Sequence, residues 1–295
     1  MACERVDPAN LPSFRSADEI LAHPRFSDAR DEFVNAILGI YEHNPLLNRL
    51  LVEAGRGVLF IVIVALHARY DEDVRATWPT VRLVVKSTMA QRVSSARRLP
   101  ALMSRLIETG YLELSSSPRD RRVRLLMPTA KMLAQDQDWL VAHYRPMALL
   151  FPEPGYQRIM DRDSAFHHAH RVVTADFLPL GARVMADNPI VMQFMTREAG
   201  MMILIKLIQI CDPESLATPP GVTYSDIGAR FGVSRTQVRK VLEDAERAGL
   251  VGLGRRRGRL VQLTPGLITA FDRFLAAGMS GHDLIYNVAL RSAPA

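Results

Sequence analysis

Thr223-Tyr224-Ser225-Asp226-Ile227-Gly228-Ala229-Arg230-Phe231-Gly232-Val233-Ser234-Arg235-Thr236-Gln237-Val238-Arg239-Lys240-Val241-Leu242 is the stretch whose reading decides the fold. Thr223 offers an N-cap hydroxyl, and Asp226 puts a negative charge in the first turn, where the helix dipole favours it. Ile227 and Phe231 stand i,i+4 and can bury together. Gly232 follows where a sharp turn needs positive φ, and Val233 can plug that turn from below. Ser234 and Gln237 are spaced as a capping box for a second helix, whose inward face is Val238, Val241 and Leu242. The spacing predicts a helix-turn-helix. Ser234, Arg235, Thr236, Gln237, Arg239 and Lys240 then fall at the start and on the outer face of the second helix, the part of such a motif that meets base edges in a major groove. Arginine can pair with guanine and glutamine with adenine, so these residue types suit that task.

Working outward, Gly249 sits where a helix end takes glycine. Leu250 to Leu253 and Arg259 to Leu263 read as the strands of a hairpin with the tip Gly254-Arg255-Arg256-Arg257-Gly258. Arg255, Arg256 and Arg257 can reach phosphates or a narrow minor groove. The plainer alternative is a solvated turn over a helical core. The ordered succession of cap, turn glycine, apolar spacing and hairpin favours DNA binding.

A second such segment lies earlier. Leu102, Leu106 and Ile107 give an apolar helix face that ends at Gly110, and Tyr111 to Leu114 reads as a short strand. A turn from Ser115 to Asp120 leads into a return strand from Arg121 to Met127, with Val123, Leu125 and Met127 on one face and Arg122 and Arg124 on the other. Gly110-Tyr111-Leu112, Ser117-Pro118-Arg119-Asp120-Arg121-Arg122 and Pro128-Thr129 together resemble the wing of the MarR family of regulators, over about a third of the chain. The resemblance implies minor-groove or phosphate contact by Arg122, with Asp120 orienting it. The chain departs from that pattern at Pro128, where the family usually has Leu, and at Met132, where it usually has Gly. Pro100 also falls inside the expected helix from Ser95 to Glu108. A proline past the first turn breaks the hydrogen-bond ladder, so the helix is expected to start near Leu99. Ser94, Ser95, Arg97 and Arg98 are then left on the entering loop. Ser95, Arg97, Arg98, Arg119, Arg122 and Arg124 are the candidate DNA contacts of this segment; a winged helix kept only as scaffold is its alternative.

The two segments share an order of landmarks. Asn44-Pro45 and Glu53-Ala54-Gly55 precede the apolar run from Val58 to Leu66; Asn188-Pro189 and Glu198-Ala199-Gly200 precede the run from Met201 to Ile210. Each run leads to a helix-turn-helix candidate, a hairpin and a threonine-led helix at Thr129 or Thr264. An internally duplicated chain, the covalent counterpart of a homodimer, is the expectation. It divides into an N-terminal segment and helix (1–43), a first winged half (44–150), connecting helices (151–187) and a second winged half with its C-terminal helix (188–295). Charge follows this division. Residues 81–131 hold 11 Lys/Arg and 3 Asp/Glu, and residues 222–273 hold 10 and 5. With a chain total of +6, the remainder is net −7 (6 − 8 − 5), so positive charge gathers on the two segments.

At 295 residues and 48% apolar content, the chain has room for about two packed domains. Cys3 and Cys211 have no disulfide or metal spacing, and the start from Met1 to Pro12 has no apolar signal core; both suit a cytoplasmic, nucleoid-associated protein. Val58 to Leu66 is too short to span a bilayer and reads as buried helix. Phe151 to Gly155 reads as a boundary between halves, and Thr218 to Gly221 as the loop before the second helix-turn-helix. Trp78-Pro79 reads as a loop anchor.

The MarR resemblance implies flanking helices that associate and enclose an effector cleft, here within one chain. Met192, Met195, Met201 and Met202 could line a ligand pocket, though ordinary core is the stronger reading. His167, His168 and His170 with Asp163 lack a second cluster to complete a metal sphere and read as a solvated or partner-facing surface. The phosphate-loop, dinucleotide, serine-nucleophile and zinc-protease motifs are missing from the sequence, and the pairs Asp71/Asp73 and Asp161/Asp163 read as surface charge, so no enzyme, cofactor or metal site is expected. The expectation is a mainly α protein with small β-hairpin wings. It would bind double-stranded DNA as a monomer or weak homodimer, subject to an unidentified small-molecule effector. The rival is a winged-helix protein-interaction scaffold.

Overall fold

The chain is described by a computed structural model over residues 11–44, 47–48, 54–91, 97–254 and 260–292. Ser16 opens α1 (Ala17–Leu21) with a complete capping box to Glu19, and α2 (Phe26–Tyr41) buries Phe33, Val34, Ile37 and Leu38. The apolar run from Val58 to Leu66 lies within α3 (Ala54–Ala68), which buries Leu59, Val62, Ile63 and Val64. Next come α4 (Val81–Met89), α5 (Leu99–Glu108), the strands β1 (Leu112–Ser116) and β2 (Arg124–Pro128), and α6 (Ala130–Leu150). The second half runs through α7 (Gln157–Met160), α8 (Ser164–Ala186), α9 (Pro189–Met195), α10 (Gly200–Ile210), α11 (Tyr224–Phe231) and α12 (Arg235–Arg247). It ends with β3 (Val251–Leu253), β4 (Val261–Leu263) and α13 (Pro265–Ser292), a helix about 42 Å long at 1.5 Å per residue. Among the described residues, no helix is long and apolar enough to cross a membrane.

The helices of the two halves pack reciprocally. α1 of the first half lies on α13 of the second, and α7 of the second lies on α6 of the first. α2 packs on α6 and crosses to α10; α8 packs on α13 and crosses to α3. α1 thus packs on the last helix of the chain, and α2 and α8 each touch a helix far along it. One apolar cluster runs through both halves, from Phe33 and Ile63 to Leu204 and Phe271. The N-terminal crossing is pinned by polar groups. The backbone N–H of Arg15 donates to Asp283 Oδ2 at 2.7 Å, and Tyr156 Oη donates to Asp283 Oδ1 at 2.6 Å.

Several expectations are corrected. His167 and His170 are buried rather than solvated, and only His168 of the three is exposed. Spacing along α8 turns the two buried rings inward. His167 Nε2 lies 2.7 Å from Asp136 Oδ2, and His170 Nε2 lies 2.9 Å from the Tyr144 hydroxyl. Arg171 closes the same network with two 2.7 Å bonds to Asp136. Burial alone would raise the Asp136 pKa, but Arg171 and the hydrogen bonds from His167 and Arg171 outweigh it and hold the carboxyl below its usual range. Asp163 is the N-cap of α8, accepting from the N–H groups of Ala165 and Phe166, so it is more than surface charge. The return strand β2 starts at Arg124 rather than Arg121, and it buries Leu125 and Leu126 together instead of alternating from Val123. Trp78 anchors its loop, buried and donating from Nε1 to the Glu72 carbonyl at 3.2 Å.

Candidate nucleic-acid interface

The helix-turn-helix that begins at Thr223 is built by local chemistry. Thr223 and Asp226 form a full capping box: Asp226 N–H donates to Thr223 Oγ1 at 3.2 Å, and Thr223 N–H donates to Asp226 Oδ2 at 2.9 Å. α11 ends at Gly232, whose φ of +68° places it in the left-handed region, and the Val233 N–H returns to the Gly228 carbonyl at 3.0 Å. Gly228 is a structural residue that the sequence reading did not single out. A Cβ there would lie 2.5 Å from the Val233 carbonyl oxygen and 3.4 Å from Val238 Cγ2, so the two helices meet at a point only glycine allows. Ile227 and Phe231 of α11 are buried, as are Val238, Val241, Leu242 and Ala245 of α12, which fixes how the second helix sits.

With that face inward, Ser234, Arg235, Thr236, Arg239 and Lys240 are exposed. Ser234 caps α12, accepting from the Gln237 N–H at 3.1 Å. Gln237 does not return the bond as a capping box would. It is half-buried, and its Nε2 donates to the Glu198 carbonyl at 3.1 Å. Among the described residues, Arg235 and Lys240 form no ion pair, while Arg239 Nε stands 3.8 Å from Glu243 Oε1, a loose pair between exposed groups. Behind the helix, β3 pairs antiparallel with β4, Val251 opposite Leu263, and Gly254 N–H donates to the Leu260 carbonyl at 2.9 Å. The candidate contacts Arg255, Arg256 and Arg257 lie outside the described residues.

The first segment repeats several of these bonds. Thr80 caps α4, accepting from Leu83 N–H, and Val84 and Thr88 face inward. Ser94 and Ser95 lie outside the described residues. Arg97 and Arg98 are exposed on the turn that enters α5, which begins at Leu99 with Pro100 in its first turn. After α5, Gly110 has φ +73° and Tyr111 N–H donates to the Leu106 carbonyl at 2.9 Å; after α12, Gly249 has φ +69° and Leu250 N–H donates to the Ala245 carbonyl at 2.9 Å. Thr129 donates to the Tyr111 carbonyl from both N and Oγ1, and Thr264 does the same to the Leu250 carbonyl. Each hairpin also takes a third, single-bridge strand from the stretch before its helices: Thr80 opposite Leu125, and Ala217 opposite Gln262.

The first hairpin distributes its arginines unequally. Asp120 Oδ1 accepts the backbone N–H of Arg122 at 3.1 Å, while its carboxylate pairs with the Arg75 guanidinium at 3.5 Å. The expected orientation of Arg122 by Asp120 therefore acts on the backbone and not on the guanidinium. Arg122 itself is exposed. Arg119 pairs with Glu72 at 3.4 Å and also with Asp73. Arg124 lies back along the sheet, donating to Ser116 Oγ at 3.2 Å.

A family model described as a helix-turn-helix domain matches residues 217–260. The match covers α11, α12 and the start of the hairpin, so the chain carries a helix-turn-helix element of the kind that binds DNA. No curated protein and no solved structure matches the chain.

Proposed function

We propose that this chain is a sequence-specific, DNA-binding transcriptional regulator that works as a single-chain pseudo-dimer on two unequal half-sites. The observation that carries the reading is the matched helix-turn-helix with its second helix turned so that Arg235, Thr236, Arg239 and Lys240 face outward. Arg235 and Arg239 are the candidates for guanine contacts, and Lys240 for a phosphate.

The partnered half is inferred from the first segment. The matching threonine and glycine bonds around both hairpins, together with the reciprocal packing of the helices, support an internal duplication of winged segments resembling MarR regulators. On this reading each copy also includes its leading helices, α1 and α2 in the first and α7 and α8 in the second. A pseudo-two-fold of this kind sets half-sites roughly 34–36 Å apart. Arg97, Arg98 and Arg122 are the proposed contacts of the first copy. Because its reading surface differs from that of α12, the operator is an imperfect palindrome. The role is binding rather than catalysis, in the cytoplasm where DNA is accessible.

Selection of bound sequences from a random DNA pool by the purified chain, followed by footprinting, tests this. The expected result is a motif of two unequal halves one helical turn apart, protected by one chain per site. A motif with two identical halves protected by two chains would replace the pseudo-dimer with an ordinary dimer. DNA retention with no enriched motif would remove sequence-specific reading and favour the scaffold role.

A further inference from the structure

The first turn of α4 is seated on the first hairpin. Thr80, its N-cap, lies opposite Leu125 of β2, and the Leu126 N–H donates to the Pro79 carbonyl at 2.9 Å. Val84 and Thr88 of α4 are buried, which leaves Arg82, Lys86 and Met89 exposed at i, i+4 and i+7. Among the described residues, neither Arg82 nor Lys86 has an ion pair or a side-chain hydrogen bond.

The two segments place their cations on different helices. Thr80 and Thr223 each accept the N–H three residues on, so Arg82 and Lys86 stand at the positions of Ser225 and Ala229. Those four residues are all exposed, while Val84 and Thr88, like their counterparts Ile227 and Phe231, are buried. In the following helices, Leu106 and Ala245 each accept the N–H five residues on, from Tyr111 and Leu250. That match puts Pro100 and Ala101 where α12 has Arg239 and Lys240. Both are exposed, and neither side chain can hydrogen-bond a base edge.

The sign of the charge is also uniform. Residues 81–107 hold six Lys/Arg and no Asp/Glu, whereas residues 224–247 hold five and four. A merely solvated surface mixes both signs; a one-sign stretch builds a potential that suits a polyanion. In a docked helix-turn-helix the first helix crosses the phosphate backbone and the second enters the major groove. On that geometry α4 has cations where phosphates pass, and α5 lacks the donors that α12 brings to the bases.

We infer that Arg82 and Lys86 of α4 bind the DNA backbone, and that the first segment supplies affinity while α12 supplies sequence choice. This rests on the DNA-binding reading above and gives its two halves different tasks. The half-site under the first segment is gripped and carries little sequence information.

The test measures anisotropy of a labelled duplex of about three helical turns, with no selected site, as the full chain is added between 50 and 200 mM salt. Each neutralised phosphate contributes about 0.9 to the slope of log affinity against log salt, so Arg82→Ala with Lys86→Ala should lower that slope by about 2. Arg82→Lys with Lys86→Arg should retain it. Arg183→Glu, an equal change of net charge at an exposed position of α8, should leave it nearly unchanged. Selection from a random DNA pool should return the same motif from the double alanine variant as from the parent. Each variant is checked for an intact thermal transition. An unchanged slope in the double alanine variant, or an equal drop in Arg183→Glu, overturns the inference while the DNA-binding reading stands. Loss of motif information in the double alanine variant would make α4 a reader of sequence and overturn it as well. Failure of the parent chain itself to bind the duplex would instead overturn the DNA-binding reading, and this inference with it.

Discussion

The side-chain amide of Gln237 donates to the main-chain carbonyl of Glu198, 3.1 Å away, tying the first turn of α12 to the elbow before α10. A side chain so engaged positions the helix and is not free to read an adenine. Gln237→Ala is therefore expected to weaken binding to all sequences by about 0.5–1.5 kcal/mol, the net value of one hydrogen bond. Arg239→Ala should differ in kind, costing about 1–3 kcal/mol and relaxing choice at one base pair if it meets a guanine. Affinities for a panel of single-base operator variants separate the two. A loss of discrimination at one position in Gln237→Ala would return that residue to the reading surface.

On the first hairpin, Arg122 is exposed, whereas Arg119 is held by Glu72 and Asp73. Exposed ion pairs are weak, but Arg119 must exchange its carboxylates for a phosphate and gains less by doing so. Arg122→Ala is expected to weaken binding to every sequence and to lower the slope of log affinity against log salt by about 1. Arg119→Ala should change that slope less. Fluorescence anisotropy between 50 and 200 mM salt measures both, and an equal effect of the two variants would contradict the distinction.

Gly228 is the contact point of α11 with the turn into α12. Adding a methyl group 2.5 Å from the Val233 carbonyl forces the two helices apart, since the obstructing atom is backbone. Gly228→Ala should lower stability by about 1–3 kcal/mol, the usual cost of overpacking, and displace the exposed arginines. Urea denaturation followed by circular dichroism gives the first quantity and DNA affinity the second. A variant as stable as the parent would mean that the approach is looser than its geometry.

The helix-turn-helix from Thr223 was legible because its determinants are local. Thr223 and Asp226, Ile227 and Phe231, and Gly232 all act on neighbours within a few residues. What escaped the sequence depends on partners far along the chain. Gly228 reads as a helix-weakening residue until Val233 and Val238 are seen against it. The Ser234 to Gln237 spacing is that of a capping box, yet Gln237 finds its acceptor 39 residues away. His167 and His170 have the spacing of a shared helix face, but only Asp136, 31 residues before His167, and Tyr144 explain why that face is inward. The packing of α1 on α13, likewise, lay beyond any local pattern.

Breaking the buried pair of Asp136 and Arg171 should cost more than any surface change. Asp136 and Arg171 are both buried, joined by two 2.7 Å bonds. Asp136→Asn leaves the Arg171 guanidinium uncompensated inside the protein, which typically costs about 3–5 kcal/mol. The double variant Asp136→Leu with Arg171→Met removes both charges and should recover much of that loss. Urea denaturation of the parent, Asp136→Leu, Arg171→Met and the double variant gives the coupling energy. A double variant no more stable than either single one would show that the network matters for its shape and not for charge balance.

Mild acid should destabilise the fold, and three buried histidines set the window. Burial pushes the His143 pKa down to about 4; Arg171 acts in the same direction, while the Trp139 carbonyl and Asp136 oppose it. His170 and His282 are also held well below the usual imidazole value, first by burial, then by neighbouring Arg171 and other histidines. All three are neutral in the folded chain, whereas the unfolded chain takes up protons near pH 6.5. Below that pH the unfolded state binds more protons, so stability rises with pH and is lost as pH falls from about 6.5 toward 4. For His143 the loss at pH 5 is about 1–2 kcal/mol. Asp136, held below its usual range, contributes stability that is lost only at still lower pH, and Asp272, raised by burial against the pull of Arg30, acts in the opposite sense. Urea midpoints at pH 7, 6 and 5 should therefore fall steadily, and His282→Asn should flatten the dependence. Midpoints that hold constant down to pH 5 would mean that the three rings reach solvent and titrate as ordinary imidazoles.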